Sequence, residues 1–527
     1  MAIAVSGISV TLPGGGEQIK EAAAKRLGIR EEDIACTRVK RQSLDCRKKD
    51  IRLVYTLHVT LGDAALQSRL EAKYGSAEDY TEPHIEYGTQ DAGRVVVVGA
   101  GPCGLFAALT LARHGYKPLL IERGKSIDER SGDVESLMRR GELDEESNVC
   151  FGAGGAGAFS DGKLTTRIKD RRAEHVIETL ADFGAPEEIR YEAKPHTGTE
   201  NIRKAVKNMT ARIEELGGEV CFSCKLSGIH LSQGALARIT YIKGGGEHSI
   251  DTCALILATG HSARDTYEML SSNGIVLIPK PFAIGLRIEH RREFVDSAQY
   301  GEAVRNPLIG AAEYRLTGES GGRSVYTFCM CPGGEVICSA TERGALAVNG
   351  MSYYARDAEN SNSAIVVSVG PHDFAAGPLG GVEFQRIFER AAYSQTFAAP
   401  VQTVGDFLHG RVSTGFGDVT PSYRPGTYFK DLGDCLPEAV SGALKAGITQ
   451  FGRKMKGFDT PGAVLTGVET RTSAPVRILR GSGLQAEGIK GLFPAGEGAG
   501  YAGGIVSAAV DGIKCAEQLM SIYSRPQ

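Results

Sequence analysis

Hydrophobic and polar residues alternate along the first sixty positions of the chain. The stretch IAVSGISV, residues 3–10, predicts a strand, and EQIKEAAAKRLGI, residues 17–29, has the spacing of an amphipathic helix. A glycine turn, PGGG, lies between them. Two more strand-like stretches, IACTRVKRQ and IRLVYTLHVTL, and the helical stretch DAALQSRLEAKY complete a small α+β unit. The polar residues 75–93 that follow have the composition of a linker.

A different pattern begins with four consecutive valines at residues 95–98, which predict a parallel strand buried on both faces. Gly99, Gly101 and Gly104 follow with the spacing G-x-G-x-x-G and open an apolar helix. Glu122 ends the next strand, 23 positions after Gly99. The spacing of strand, glycine turn, helix, strand and acid predicts a dinucleotide-binding βαβ unit. The alternative is a βαβ unit that binds nothing.

Each residue of this motif has a physical role in binding a dinucleotide. Gly99 permits the tight turn, Gly101 lets backbone amides approach a pyrophosphate, and Gly104 allows the helix to pack closely on the strand. The N terminus of the predicted helix LFAALTLARHG carries partial positive charge that attracts the phosphates. Glu122 would accept hydrogen bonds from the adenosine ribose.

Two distant segments return to the same pattern. CALILATGHSA predicts a buried strand that ends at Thr259 and Gly260, and GLFPAGEGAG predicts another that ends at Gly496 and Glu497, before a helix that starts near Gly503. This arrangement resembles flavoproteins of the glutathione-reductase type, in which FAD lies across a sheet completed by distant segments. The resemblance implies FAD, with the adenine near the backbone of residue 226 in the strands between.

A second glycine-rich match, GAGGAG at residues 152–157, has two interpretations. A separate NAD site would need a long apolar helix after it, whereas AFSDGKL follows. The favoured interpretation is a loop whose amides approach the FAD pyrophosphate and isoalloxazine. The complete set of candidate cofactor-binding residues is Gly99, Gly101, Pro102, Gly104, Glu122, Arg123, Gly155, Gly157, Ser160, Asp161, Lys163, Leu226, Thr259, Gly260, Gly496, Glu497, Gly503, Gly504 and Ile505.

Longer motifs resemble one family over nearly the whole chain. CFGAGGAGAFSDGKL, LATGHSARDTYEML, PFAIGLRIEH and FPAGEGAGYAGGIVSAAVDG are similar to the uncharacterised FAD-dependent dehydrogenase family, also called NAD(FAD)-utilizing dehydrogenases. The resemblance implies noncovalent FAD, a reductase-like fold and hydride exchange between FAD and an organic substrate, with NAD(P)H as a possible transient electron donor. It implies no particular substrate.

These patterns together predict an α/β fold with a discontinuous Rossmann-like FAD-binding domain, an inserted α+β substrate or cap domain, and a small N-terminal α+β domain. The expected boundaries are 1–90 for the N-terminal domain, 91–260 for the first part of the FAD-binding domain, 261–480 for the substrate domain and 481–527 for the C-terminal return.

Three arginines of the middle segment are the candidate catalytic residues: Arg287, Arg471 and Arg477. An arginine near a flavin holds a carboxylate or phosphate and stabilises developing negative charge. They therefore favour a polar or anionic substrate, and the alternative for each is a structural ion pair. His261 is interpreted as a capping or flavin-shell residue in preference to a proton donor. The run AENSNSA is interpreted as a polar loop.

Two cysteine pairs have spacings that bear on redox or metal chemistry. SVYTFCMCPGGEVICSA predicts a hairpin around a Pro-Gly turn, with Cys329 and Cys331 on the same strand face. We interpret them as packing residues and not as an obligatory redox pair, since a spacing of two is poor for a disulfide. Cys221 and Cys224 lie three apart, which on a continuous strand puts the thiols on opposite faces, and no metal site is expected.

A basic segment, RVKRQSLDCRKKDIR at residues 38–52, supports an alternative function. On a small α+β scaffold it could bind RNA or a protein partner, which would make the chain an FAD-loaded binding or regulatory module. It lacks the interleaved aromatic residues of an RNA-stacking surface. A solvated face or a docking surface for the flavin domain is the favoured interpretation, and nucleic acid is not the expected partner.

Composition changes this picture little. The 527 residues include 42% hydrophobic residues, the formal net charge is −3, and the longest apolar runs fall far short of the roughly 20 residues of a membrane span. Residues after Met1 have no signal-peptide pattern, so a cytoplasmic protein is expected. The 12 cysteines have no framework spacing, which is typical of reduced thiols. The oligomeric state is left open.

Overall fold

The structure is a computed structural model that describes residues 2–12, 15–46, 51–306 and 308–526. Pro13 and Gly14 of the glycine turn, and residues 47–50 of the basic segment, lie outside these residues. No helix within the described ranges combines the length and the hydrophobicity needed to cross a membrane.

The N-terminal unit is an antiparallel sheet with two helices, as the alternating pattern predicts. Its elements are β1 (Ala2–Thr11), α1 (Gly16–Leu27), β2 (Ile34–Asp45), β3 (Arg52–Leu61), α2 (Ala64–Tyr74) and β4 (Ser76–Ala77), in the strand order β2-β3-β1-β4. Ile3 and Val5 are buried, then Ile8 and Val10. The buried positions change parity because a bulge follows Ser6, so the same face of β1 stays on the core.

The rest of the described chain forms five further sheets with their helices, and the two largest have five and seven strands. Residues 91–260 contain β5 (Val96–Val98), α3 (Pro102–Arg113), β6 (Leu119–Ile121), α4 (Ile127–Arg140), α5 (Arg172–Asp182), α6 (Gly198–Glu215), β7 (Glu219–Cys221), β8 (Cys224–Ser232), β9 (Ala235–Lys243), β10 (Gly246–Asp251) and β11 (Leu255–Leu257). Residues 261–480 contain α7 (Arg264–Ser272), β12 (Leu277–Pro279), β13 (Phe282–Arg291), α8 (Arg292–Tyr300), β14 (Thr317–Ser320), β15 (Arg323–Cys331), β16 (Glu335–Cys338), β17 (Val348–Met351), β18 (Asn360–Val369), α9 (Gly380–Ala392), β19 (Ala399–Thr403), α10 (Val404–His409), β20 (Thr427–Phe429), α11 (Glu438–Lys454), β21 (Val464–Glu469) and β22 (Val476–Ile478). The last elements are β23 (Leu492–Pro494) and α12 (Ile505–Met520).

A five-stranded parallel sheet brings distant parts of the chain together. Its order is β23-β11-β5-β6-β7, so the strand near the C terminus lies beside β11 and two positions from β5. Strands β8, β9 and β10 form the predicted antiparallel meander. The carboxyl ends of parallel strands meet at one edge, and this edge is where α/β sheets bind ligands.

A seven-stranded sheet forms the core of the middle segment, in the order β14-β15-β18-β13-β21-β19-β20. Strand β18, an interior strand of this sheet, contains the run AENSNSA from Asn360 onward, so the prediction of a polar loop there is wrong. Two buried asparagines each have a partner for one amide atom: Asn362 Oδ1 accepts a hydrogen bond from Arg287, and Asn360 Nδ2 donates to Glu289. The other amide atoms, Asn362 Nδ2 and Asn360 Oδ1, have no partner among the residues that the structure describes. The hydrogen bonds offset part of the cost of burying these side chains in a strand.

The predicted hairpin around Pro332 and Gly333 is also wrong. The chain does turn there, but β15 pairs with β14 and β18, whereas β16 pairs with β17 in a separate sheet. Gly333 packs so closely on the backbone of Arg356 that a Cβ would lie 1.8 Å from its carbonyl oxygen.

The N-terminal sheet docks on the adjoining helices through the basic segment. The amide of Gln42 donates to the carbonyl of Tyr191, and Lys40 forms an ion pair of 2.8 Å with Glu174. Arg38 pairs with Asp79. The described part of the segment therefore makes the intramolecular contacts of a docking surface.

Candidate functional site

The glycine turn lies at the carboxyl end of β5. Gly99 has a φ of 100°, a conformation that favours glycine, and a Cβ there would lie 2.3 Å from the carbonyl oxygen of Ala258. A Cβ on Gly104 would lie 1.8 Å from the carbonyl oxygen of Gly99. At Gly101 the surroundings are open, with Gly155 Cα as the nearest atom at 3.8 Å. Gly99 and Gly104 thus shape the turn, and Gly101 borders free space.

The carboxylate of Glu122 ties the turn to two neighbouring loops. Its Oε2 accepts a hydrogen bond from the Ala100 amide at 2.7 Å, and its Oε1 accepts from the amides of Gly124 and Gly152 at 2.9 Å each. The residue is buried but lines the cleft. Glu122 therefore organises the cleft wall as well as offering lone pairs toward it.

Arg123 is held by acids at the same end of the cleft. It pairs with Glu146 at 2.7 Å and with Asp265 at 2.9 Å, and Lys225 pairs with the same two carboxylates. These opposing charges leave this end close to neutral. Leu226 follows Lys225 and also lines the cleft.

Arg130 is a site residue that the sequence reasoning missed. It is completely buried in α4, and its guanidinium donates hydrogen bonds to carbonyls of the glycine-rich loop, including those of Asn148, Ala153 and Gly155 at 2.8, 2.6 and 2.9 Å. Burial lowers its pKa to about 10. Because Arg130 donates hydrogen bonds to several of these carbonyls, it fixes the loop against the glycine turn.

The loop continues into a buried ionic cluster. Asp161 accepts from Lys163 Nζ at 2.7 Å and from Arg356 Nε at 2.9 Å. Burial raises the pKa of Asp161, but Lys163 and Arg356 outweigh burial and hold this pKa below its usual value. Ser160 Oγ donates to the Gly157 carbonyl at 2.8 Å. Asp161 therefore orients Lys163, which lines the cleft.

The disulfide between Cys221 and Cys224 differs from both the expected strand geometry and the expected reduced thiols. The prediction assumed one continuous strand, but β7 ends at Cys221 and β8 begins at Cys224. Ser223 between them has a φ of 53°, and this turn places the two Cα atoms 6.0 Å apart.

Arg471 reaches the cleft, while the other two candidate arginines lie away from its described lining. Arg287 is fully buried and pairs with Glu469 at 2.6 Å. Arg477 donates to the carbonyl of Gly500 at 3.1 Å. Sequence spacing could not distinguish these roles, because strand partners and loop carbonyls decide where each guanidinium points.

Arg471 is itself held by a buried network. Its Nε and Nη2 donate to Glu389 at 2.9 and 2.8 Å, and Arg264 binds the same carboxylate. Burial raises the pKa of Glu389, but Arg264 and Arg471 outweigh burial and hold this pKa well below its usual range. Burial, together with Arg471 and Arg264, lowers the pKa of His261 to about 4. His261 is therefore neutral near pH 7 and is poorly suited to donate a proton.

The structure brings most of the candidate residues into one cleft of about 270 Å³. Those that line it are Gly99, Gly101, Pro102, Glu122, Arg123, Gly155, Gly157, Ser160, Asp161, Lys163, Leu226, Thr259, Gly260, Glu497, Gly504 and Ile505. Gly104, Gly496 and Gly503 fall outside this lining within the described chain. The Gly496 amide donates instead to Asp511 at 2.7 Å.

Several further residues line the cleft that the sequence did not assign to it, among them Cys329, which was interpreted as a packing residue. They come from the middle sheet and its neighbours: Cys329, Asn349, Glu469 and Thr472. Cys150 lines the cleft from the glycine-rich loop. Strands β15 and β21 belong to the seven-stranded sheet and β17 to the separate β16-β17 sheet, so only the folded chain places these residues on one wall.

The buried carboxyl of Glu497 lowers the stability of the protein when it is ionised. Burial raises its pKa from 4.5 to about 7, against the Gly504 amide and Lys280, which act to lower it. Since the folded pKa is raised, the contribution of Glu497 to stability falls as the pH rises from 4.5 to 7.

We expect Glu497→Gln to remove this loss of stability with rising pH in the cofactor-free protein. Below about pH 4.5, ionisation of Glu497 adds no difference between the free energies of unfolding of the variant and the wild type. Above about pH 7 it makes the variant the more stable by roughly 2 kcal/mol, a figure reduced for the partial exposure of the side chain. Urea unfolding across this pH range measures the difference. A gap that does not change with pH would contradict the raised pKa.

The cleft fits an extended dinucleotide. The first amides of α3 and α12 have no partner within their own helices, and both N termini border the cleft at Pro102 and Ile505. The open space beside Gly101 allows a ligand to approach the backbone there. The donors are therefore amides suited to a pyrophosphate, with the carboxylate of Glu122 at one end of the cleft.

Three family models match parts of the chain. Residues 93–277 match the pyridine nucleotide-disulphide oxidoreductase model, residues 281–472 match the model of the FAD-dependent protein, C-terminal domain-like, and residues 5–60 match a domain of unknown function. An uncharacterised protein of Clostridium beijerinckii is 48% identical over 537 residues, which cover 100% of both chains.

Solved structures are similar at a low level. A flavoprotein/dehydrogenase from Cytophaga hutchinsonii has a TM-score of 0.36 and 13% identity, over 81% of this chain and 76% of that one. A 3-ketosteroid-Δ4-(5α)-dehydrogenase from Rhodococcus jostii, in complex with 4-androstene-3,17-dione, has a TM-score of 0.35 and 15% identity, over 83% of this chain and 97% of that one.

Proposed function

Because this chain belongs to the FAD-dependent oxidoreductase family together with its Clostridium beijerinckii relative, we propose that it exchanges a hydride between FAD and a polar or anionic organic substrate. The cofactor is FAD. The single observation that carries the proposal is the cleft itself, which joins the dinucleotide edge of the parallel sheet to a polar wall of the middle sheet.

We assign the cofactor to this cleft in an extended conformation. The amides at the start of α3 and along the glycine-rich loop hold the pyrophosphate, and Glu122 receives the adenosine ribose. The wall that includes Lys163 and Glu497 then borders the flavin end. When bound, FAD accepts or donates a hydride at its ring system.

The substrate side of the cleft is polar. Lys163, Asn349, Glu469, Arg471 and Thr472 all contribute to its lining. The two cations have acidic partners in Asp161 and Glu389. Lys163 also donates to the Met330 carbonyl, and Arg471 Nη1 donates to Thr341 Oγ1 at 2.7 Å. One N–H of Lys163 and two of Arg471 then remain to orient a polar or anionic group.

A test of this proposal starts from ligands retained by the protein. Native mass spectrometry of the purified protein should find FAD and any copurified small molecule. Anaerobic mixing with NADH, NADPH and a panel of polar organic acids and alcohols should then show bleaching of the flavin spectrum by at least one donor. A protein that holds FAD but whose flavin is neither reduced by any donor nor reoxidised by any organic acceptor would contradict the proposed activity.

We expect Arg471→Lys to weaken substrate-dependent flavin reduction by roughly tenfold, about 1.4 kcal/mol, while FAD content stays unchanged. Lysine keeps the charge opposite Glu389 but loses the planar, bidentate geometry of the guanidinium. Stopped-flow reduction measures the effect. Arg390→Lys, at an exposed position one residue from Glu389, is the matched control and should leave the rate unchanged.

If both lysine variants reduce at the wild-type rate, Arg471 does not contact the substrate and serves the buried network alone. Loss of FAD from the Arg471 variant would instead place the guanidinium in cofactor binding.

A further inference from the structure

Cys329 lies at an irregular point of β15. In the pairing of β15 with β18, Phe328 faces Ala364 and Cys331 faces Asn362, so the segment from Phe328 to Cys331 contains one residue more than its partner strand. Cys329 has a φ of 42°, in the left-handed region that residues with a Cβ seldom adopt. Bulges and strained residues are concentrated at functional sites, where they redirect a side chain.

The bulge separates the two thiols. Cys329 lines the cleft, whereas Cys331 is fully buried. The expectation that both project from the same face as packing residues is therefore wrong for Cys329, because the extra residue interrupts the period of two. Both thiols are free.

Charged groups surround Cys329 from several elements. Arg287 of β13 donates to the Cys329 carbonyl at 3.2 Å, and Lys163 donates to the neighbouring carbonyl of Met330. The acids that face Cys329 are Glu469 of β21 and Glu497, which follows β23.

The hydrogen bond from Cys331 lowers the pKa of Cys329 to about 6 against the effect of burial, and Arg287 and Lys163 act in the same direction as Cys331. The same hydrogen bond, together with burial, raises the pKa of Cys331 well above its usual value. Arg287 and Lys163 favour a negative charge on this pair, and Cys329 is the thiol of the pair that reaches the cleft.

We propose that Cys329 is a nucleophilic thiolate of the substrate site that takes an electrophilic carbon, and that Cys331 is its positioning residue. The inference rests on the proposed function only in placing the substrate in this cleft. In the step, a sulfur lone pair forms the C–S bond, and the electron pair of the broken bond leaves with the displaced group. With iodoacetamide as the probe, the C–I bond breaks and iodide leaves.

The test is alkylation of the FAD-loaded protein by iodoacetamide as a function of pH, with peptide mass spectrometry to assign the modified thiols. Cys329 should react with a midpoint near pH 6. At pH 6 it should react roughly 20-fold faster than a thiol with a pKa of 9.0, after allowance for the lower nucleophilicity of a weakly basic thiolate. Cys36, which is exposed, serves as the internal reference for the reagent.

A matched pair of variants separates positioning from general packing. Cys331→Ala removes the hydrogen bond to Cys329 and should move the midpoint upward. Cys435→Ala removes a buried thiol outside the described cleft lining and should leave the profile unchanged. FAD content of both variants reports whether the fold is intact.

A Cys329 midpoint near pH 9, or no modification before denaturation, would overturn the inference. Substrate-dependent flavin reduction at the wild-type rate after complete alkylation of Cys329 would also overturn its contact with the substrate. If no donor reduces the flavin, the proposed function fails by that measurement alone, and the pH profile still decides whether Cys329 is a thiolate nucleophile.

Discussion

Gly101→Val should leave the protein folded but lower its affinity for FAD at least 100-fold, about 2.7 kcal/mol. Gly101 has a φ of −75° and a ψ of −179°, a backbone conformation open to any residue, so valine introduces no strain there. Its Cβ would meet only Gly155 Cα at 3.8 Å. The added methyl groups would instead fill the space through which the pyrophosphate must approach the backbone.

The measurement is FAD retention after gel filtration, followed by titration of the cofactor-free protein with FAD. Gly442→Val, at an exposed helical position with open surroundings, controls for the general cost of valine in place of glycine. Wild-type affinity in the Gly101 variant would show that the cofactor does not approach this turn.

Glu122→Ala is expected to destabilise the cofactor-free protein by about 3 kcal/mol or more and to weaken FAD binding further. The carboxylate accepts hydrogen bonds from three backbone amides, those of Ala100, Gly124 and Gly152. Each buried donor left without an acceptor costs about 1–3 kcal/mol. The loss is shared between the glycine turn and the glycine-rich loop, so both walls at this end of the cleft would loosen together.

Urea unfolding with and without saturating FAD separates the two effects. Glu214→Ala, on the exposed face of α6, is the matched control and should change stability by less than about 0.5 kcal/mol. A Glu122 variant with wild-type stability and reduced FAD affinity would assign the carboxylate to the cofactor alone. Glu122→Gln keeps one carbonyl acceptor but presents an amide donor to the backbone N–H groups, so it should also be destabilised.

The sequence alone predicted the dinucleotide half of the site because its determinants are local. The turn needs a positive φ at Gly99 and a close approach at Gly104, and glycine meets both needs within six residues of chain. The strand that ends before Glu122, and the returns through β11 and β23, were likewise visible as buried apolar runs. Such signals depend on residue type and spacing and need no knowledge of distant neighbours.

The wall that we propose for the substrate was decided by the tertiary structure. A bulge that no period-two pattern reveals directs Cys329 into the cleft, and a carboxylate 182 residues away in the chain holds Arg287 inside the sheet. Arg130 lies in an ordinary amphipathic helix, and only the folded chain shows that it donates hydrogen bonds to carbonyls of the glycine-rich loop. Sequence patterns record which residues prefer burial, but the direction of a charged or nucleophilic side chain follows from partners that only the folded chain brings within hydrogen-bond distance.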